Sequence, residues 1–381
     1  MKKRGYLSLI LKITGVLLLL LVLLLGGIAI YNKTMPEASS VVNLLSEQEK
    51  ARIQEITHLR NTLGDKVWPG WSAMDIPIVL YNEEYAFLSG IQEPAPGWER
   101  VPYGIVGGEE WKPVPDESYY RQPLPEDGGT PQAFIVAIGD TYAASMTTKE
   151  WTGIHLVDLL QGELPGFVAP VFPYFIFTNR FNSDWFISAV LHESFHVLQA
   201  RRAYQRLEEA EQATALEEKY PWDDDEFRAL WLEEREKLAD ALVAEDSIER
   251  RGLVKQWTAL RDKRREQLSA ELIRYEQQRE WLEGLAKYAE LNIWYTAYES
   301  PGYTPVPAMN EVTDFKAYRE AKEYRSSEIS QLRSDLQFSE SMFYYTGWAQ
   351  AELLDRLSED ESWKEEVMNA GIYLDELLAS Q

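Results

Sequence analysis

The chain contains no cysteine. Disulfide frameworks, thiolate metal sites, a cysteine nucleophile and a lipid anchor on cysteine are therefore excluded. His, Asp and Glu are left as the side chains able to hold a catalytic metal. Histidine is itself scarce, with four in 381 residues. Positive charge is also short: 38 Lys and Arg stand against 62 Asp and Glu, a net charge of −24. Residues 1–33 hold five cations (Lys2, Lys3, Arg4, Lys12, Lys33) and no carboxylate, which leaves −29 on the remainder. So acidic a body repels nucleic acid and anionic lipid, and nucleic-acid binding is excluded.

What is present is a folded body behind an apolar leader. A hydrophobic content of 45% with 12% aromatics is that of a packed protein rather than a disordered one. Residues 13–30, ITGVLLLLLVLLLGGIAI, form an uncharged run of 18 residues after a basic start. That is near the lower limit for crossing a hydrocarbon core of roughly 30 Å. Lys12 can snorkel at one end and Tyr31 can sit at the other interface. The alternative is a cleaved signal peptide, with Gly27-Ile28-Ala29 as a poor cleavage site, but the run exceeds the usual apolar length of such peptides. The expectation is a single-pass cell-membrane anchor, its N-terminus cytoplasmic and its body outside.

The organisation expected is 1–12 cytoplasmic, 13–31 transmembrane, 32–46 a polar stalk, 47–181 a strand- and loop-rich part, 182–299 a helical part and 310–381 a C-terminal helical part. An amphipathic helix is expected over 44–62, and strands over 77–81, 133–138 and 171–177. The Pro/Gly-rich stretch 113–132 reads as a loop. Asn182, Ser183 and Asp184 are N-cap candidates for a helix running to about Arg206. Charged helices follow over 224–298, and a Pro/Gly break over 300–310 precedes the last helices. Strands first and helices after make the fold class α+β.

The segment 189–199, AVLHESFHVLQ, carries the chemistry. His192 and His196 stand four apart, so both imidazoles project from one helix face a turn apart, within reach of one Zn²⁺ at about 2.0–2.1 Å. Glu193 lies beside them as the base that takes a proton from an attacking water. The helix is apolar on nearly every side (Trp185, Phe186, Ile187, Val190, Leu191, Phe195, Val197, Leu198), as a buried helix is. Two His and a Glu inside it need a common partner, which one zinc ion per chain supplies. The competing reading is a metal-free His/Glu hydrogen-bond cluster.

A catalytic zinc takes a third protein ligand. The segment 279–291, REWLEGLAKYAEL, offers Glu283, beside Leu282, Leu285, Ala286 and Ala289, with Gly284 permitting close approach of another backbone. Glu276, Glu280, Glu283, Lys287 and Glu290 also recur at the spacing of a solvated stripe, so on periodicity alone Glu283 stays open, with Glu280 and Glu290 as fallbacks. Gln199 fits either a supporting role behind His196 or an ordinary surface position. His155 reads as structural and His58 as solvent-facing.

At these residues the chain resembles the gluzincins, zinc peptidases with two His from H-E-x-x-H and a downstream Glu, and among them poorly characterised bacterial membrane-anchored or secreted members. H-E-x-F-H-x-x-Q matches His192, Glu193, Phe195, His196 and Gln199. E-G-x-A-x-Y matches Glu283, Gly284, Ala286 and Tyr288. The stretch 344–357, YYTGWAQAELLDRL, is similar to a Tyr-containing helix start. The resemblance covers roughly 180–360. It implies a zincin-like body, Glu283 as third ligand, Tyr344 or Tyr345 as oxyanion donor, a peptide or protein substrate, and an edge strand at 171–177 pairing with it. The 86 residues between His196 and Glu283 exceed the spacing in compact members, so the helices between are an insertion of unknown role. The alternative from another class is a membrane-tethered binding or scaffolding ectodomain. Its zinc site is structural or vestigial and the acidic helices over 203–280 are its working surface. The intact Glu193 argues against it.

Overall fold

The computed structural model describes residues 2–94, 96–101, 105–106, 109–110, 119–125, 133–178, 180–335 and 338–381. Helix α1 (Lys2–Asn32) contains the one stretch among the described residues long and apolar enough to cross a membrane, Ile13–Asn32, which is exposed along most of its length and touches the body at its end, through Tyr31 and Asn32. Helix α2 (Glu47–Val67) starts where Ser46 accepts a hydrogen bond from the Glu49 amide, later than the expected 44 and running five residues beyond 62. Eight strands follow among the described residues: β1 (Ile78–Tyr81), β2 (Tyr85–Ser89), β3 (Glu99–Val101), β4 (Ile105–Val106), β5 (Glu109–Glu110), β6 (Tyr119–Pro123), β7 (Phe134–Ile138) and β8 (Thr141–Thr147). The helices are then α3 (Lys149–Glu163), α4 (Tyr174–Thr178), α5 (Ser183–Gln212), α6 (Asp225–Val243), α7 (Ser247–Arg265) and α8 (Ala270–Arg279). A π turn (Glu280–Gly284) leads into α9 (Leu285–Glu299), followed by α10 (Ala321–Leu332), α11 (Met342–Leu357), α12 (Ser362–Glu366) and α13 (Leu374–Ala379). The fold is α+β.

The main sheet runs β3-β6-β2-β1-β8-β7, and among the described residues its one parallel pair is β1–β8. Strand alternation divides its side chains between two cores. Leu80, Phe87, Ala144 and Met146 join the large core with α2, α5 and α9, while Val79, Ala86, Leu88 and Ala143 form a smaller core on the other face. Asn182 caps α5 by accepting from the Trp185 amide at 2.9 Å. Phe186, Ile187, Val190, Leu191, Phe195 and Leu198 of α5 are completely buried. Beneath them Trp68 meets Phe195 edge-on at 5.0 Å and Trp71 donates to Ser194 at 3.3 Å, so the helix is held by interlocked aromatics.

Four expectations are corrected. Residues 171–177 are not a strand: a 3-10 turn (Ala169–Val171) and α4 occupy them, because Pro170 and Pro173 lack the amides a ladder needs. The strand at the edge beside α5 is β7, whose ladder partner among the described residues is β8 alone. The loop assigned to 113–132 contains β6, whose Tyr119–Pro123 backbone pairs with β2 and β3; residues 113–118 and 126–132 lie outside those described. The polar segment 32–46 is not a free stalk. Ser39 donates twice to Glu83 at 2.7 and 2.6 Å, Ser40 twice to Glu150 at 3.0 and 2.9 Å, and Asn82 donates to the Val42 carbonyl at 2.7 Å.

The fourth correction concerns the charged stripe. Glu276, Glu280, Glu283, Lys287 and Glu290 are 0, 1, 5, 8 and 5% exposed, so none is a solvated position. The extra residue of the π turn rotates the downstream helix by about 100° relative to a straight one, and the carboxylates part company across it. Glu276 accepts from Arg264 and Arg265, and Glu280 from Arg261 and, at 2.8 Å, from Thr346, in a buried ion network with Glu234 and Asp375. Glu283 and Glu290 turn instead to α5. The π turn is also pressed onto α11 at a glycine crossing. A Cβ on Gly284 would lie 2.7 Å from the Gly347 carbonyl carbon, and one on Gly347 would lie 2.7 Å from the Gly284 Cα.

This crossing leaves no room for a methyl group, since the obstacle is backbone. Gly284→Ala is expected to cost about 1–3 kcal/mol in denaturant unfolding of the full chain in detergent. Gly252→Ala, in α7 with nothing within 4 Å of its added Cβ, is expected to be neutral or to stabilise by up to about 1 kcal/mol.

Candidate metal centre

His192, His196 and Glu283 form a buried group whose ligand atoms all lie within 4.8 Å of one another, and such a group could hold a metal ion. The histidines come from α5, one turn apart, with ring centroids separated by 4.9 Å. Glu283 comes from the π turn. Its Oε2 is 3.3 Å from His192 Nε2 and 3.4 Å from His196 Nε2, and its Oε1 accepts from Arg279 at 3.0 Å. One carboxylate oxygen is thus aimed at both rings while the other is tied back.

The outer nitrogens of both rings are engaged. Gln199 donates to the Trp281 and Leu282 carbonyls of the π turn at 2.9 and 3.1 Å, which fixes its amide so that Oε1 accepts from His196 Nδ1 at 2.7 Å. Burial pushes the His196 imidazole down, towards the neutral ring, against the pull of Glu283. A neutral ring protonated at Nδ1 presents the lone pair of Nε2 to the Glu283 oxygen. Two acceptors facing each other at 3.4 Å in a buried site need a cation between them. Two imidazole nitrogens and a carboxylate make a donor set that could hold a metal ion, and each His is oriented from behind as metal-bound imidazoles are.

His192 is flanked by two carboxylates, its Nδ1 lying 3.2 Å from Glu290 Oε2. Burial works to lower its pKa, but the hydrogen bonds to Glu283 and Glu290 and the charge of Glu193 win and raise it to about 10. Burial likewise raises the Glu283 carboxyl, yet the adjoining ring of His192, charged and hydrogen-bonded to it, holds it well below the usual range. Lys287 donates to Glu290 at 2.9 Å, pairs with Glu328 at 3.0 Å, and helps keep Glu290 ionised. The carboxylates here call for positive charge, supplied by a proton on His192 when no metal is bound.

Glu193 is the one residue between positions 190 and 200 that is not fully buried, so solvent reaches it beside the ligands. Burial, opposed by His192 and reinforced by Glu283 and Glu290, raises its carboxyl to about 8. Tyr344, in the first turn of α11, lies over His192 with ring centroids 5.8 Å apart and planes 12° from parallel. Burial and the Glu283 charge push its phenol well up, so it stays a donor. Tyr345 lies apart from this group, packed between two cores in the field of Glu328, Lys287 and Glu290.

The fallback ligands fall elsewhere: Glu280 belongs to the Arg261 network and Glu290 stands behind His192. His58 is not simply solvent-facing; its Nε2 is 3.0 Å from the Thr304 carbonyl and its ring stacks on Tyr303. His155 is exposed and stacks on Trp151. Sequence reasoning passed over Arg279 and Lys287, although Arg279–Glu283 and Lys287–Glu290 have the four- and three-residue spacing of helical ion pairs. It also passed over Phe134 on β7, whose ring centroid is 4.7 Å from that of His196; no motif marks that residue. Two open surface clefts, lined by residues of 40–52 with 149–150 and of 31–36 with 149–181, lie apart from the centre. Comparisons with protein-family models, curated proteins and solved structures find no match.

Titration of the metal-free chain with Zn²⁺ is expected to show one site, abolished in His192→Ala, His196→Ala and Glu283→Ala. In Glu290→Ala the site should persist with affinity weakened about 10–100-fold. Because the ion displaces the His192 proton, affinity should rise about tenfold per unit as pH increases from about 5 to about 7. A pH-independent affinity would contradict the protonated state assigned to His192.

Proposed function

We propose that this chain is a membrane-anchored zinc-dependent hydrolase that cleaves peptide bonds, its N-terminus cytoplasmic and its body on the other side of the membrane. The observation that carries the reading is the convergence of His192, His196 and Glu283 beside a solvent-accessible Glu193. The N, N, O donor set suits zinc. When bound, zinc would polarise the substrate carbonyl and make water more acidic. The similarity of the motifs to gluzincins supports the same assignment.

Within this reading Glu193 accepts the proton of the attacking water and returns it to the departing amine. A base with pKa near the working pH is well placed for both transfers, and the positive charge of a bound ion would bring Glu193 down from about 8. Arg279 and Gln199 hold Glu283 and His196 in register. Tyr344 donates its phenolic proton in a hydrogen bond to the developing oxyanion. The edge strand β7, which reaches the centre through Phe134, offers backbone groups to an extended peptide, the role expected of 171–177. The tethered-scaffold alternative draws less support, since a purely structural site has no use for Glu193 beside its ligands; the acidic residues of α6–α8 divide between the interior, with Glu234 and Glu276, and the surface, with Glu226, Glu233 and Glu236.

Glu193→Gln is expected to keep its zinc while peptide hydrolysis falls about 10²–10⁴-fold. Tyr344→Phe should lower kcat about 10²–10³-fold with little change in KM. Both are checked by steady-state kinetics with metal content measured on the same samples. Undiminished turnover in Glu193→Gln would remove the proposed base.

A further inference from the structure

The apolar segment that reads as a strand buries Tyr174 but leaves other large side chains at the surface. Residues 164–178, LPGFVAPVFPYFIFT, contain no charged side chain. Yet Phe167 is 84% exposed and Ile176 is 47% exposed, with Leu159 of the neighbouring α3 at 54%. Exposed apolar residues grouped in this way mark a contact surface, and their position identifies the partner. Asn32, which ends α1, donates from Nδ2 to the Pro170 and Phe172 carbonyls at 3.0 and 2.9 Å. Tyr31 meets Phe175 edge-on at 5.7 Å. A cleft of about 280 Å³ lined by Tyr31, Met35, Ile154, Val157 and Phe181 lies at the same junction.

We infer that residues 164–178 dock into the interfacial layer of the bilayer that α1 crosses, as a second membrane contact beside the anchor. The inference rests on the reading of α1 as an uncleaved span. If Ile13–Asn32 fills the hydrocarbon core, Asn32 marks its outer boundary, and the backbone it binds lies at that depth. Phe167 and Ile176 then point their apolar surface where headgroups give way to acyl chains, as interfacial segments do. The exposed cations Lys33 and Arg180 sit just past the two apolar segments, and in this docking they would meet lipid phosphates. The body itself is strongly acidic, so apolar burial rather than net charge holds this contact, and zwitterionic lipid is its partner. The bonds of Ser39 and Ser40 to Glu83 and Glu150 close the other side of the joint, so the body is fixed rather than swinging.

The absence of cysteine makes the test clean, because a single introduced cysteine is a unique labelling position. Full chains bearing Phe167→Cys, Ile176→Cys, Leu20→Cys or Ile248→Cys would be nitroxide-labelled and reconstituted into phosphatidylcholine vesicles. Collision rates with oxygen and with a water-soluble nickel chelate would then be compared. All four native side chains are exposed on the protein, so labelling does not challenge the fold. Labels at 167 and 176 are expected to favour oxygen several-fold more than the label at 248, approaching the label at 20. Water-like collision ratios at 167 and 176 with a lipid-like ratio at 20 would overturn the docking and leave the anchor standing. A water-like ratio at 20 would overturn both.

Discussion

A single carboxylate oxygen, Glu283 Oε2, aimed at two buried imidazoles from across a helix interface is the contact around which this structure is arranged. Both elements that meet there are committed to it. The part of α5 that bears the histidines, residues 183–200, is buried on almost every side and cannot turn them elsewhere. The π turn is clamped by a glycine crossing with α11, by Arg261 and Thr346 on Glu280, and by Gln199 on its carbonyls. Buried ion pairs contribute little net stability because desolvation offsets their attraction, but they penalise alternatives that leave a charge unpaired. The network of Glu234, Arg261, Arg264, Glu276, Glu280 and Asp375 is suited to fixing geometry in this way.

The parts legible in the sequence are those with a local signature. His192, Glu193 and His196 announce themselves by spacing and by the apolar helix around them, and Asn182 by its capping position. The close approach at Gly284 was visible from the residue type, and the α+β class from the order of strands and helices. What stayed illegible is nonlocal. The choice among Glu280, Glu283 and Glu290 turns on the π turn, and a stripe at three- and four-residue spacing reads the same whether it faces water or is divided between two buried partners. Strand β6 hid in a Pro/Gly-rich stretch because its pairing partners lie more than thirty residues upstream on β2 and more than fifteen on β3.

The run at 171–177 shows the converse failure. Its run of apolar residues suggested a strand, and the resemblance an edge strand, yet Pro170 and Pro173 deny it a ladder and part of it stays at the surface. An apolar segment is a statement about solvent preference, and a bilayer satisfies that preference as well as a protein interior does. Segment 32–46 shows the same dependence on context. Its polar composition reads as a tether, while the acceptors on Glu83 and Glu150 turn it into a splice between α1 and the body.

The π turn has a consequence for how this centre tolerates change. Most buried polar centres are vulnerable to substitution; this one is vulnerable to arithmetic as well. Loss of any one residue among Glu280–Gly284 would let the backbone relax into an ordinary helix, a comfortable outcome for main-chain bonding. The two halves of the helix would then be out of phase, with either the arginine partners or the histidine partners facing the wrong way. Chain length in that single turn is therefore as much a part of the ligand set as the identity of Glu283.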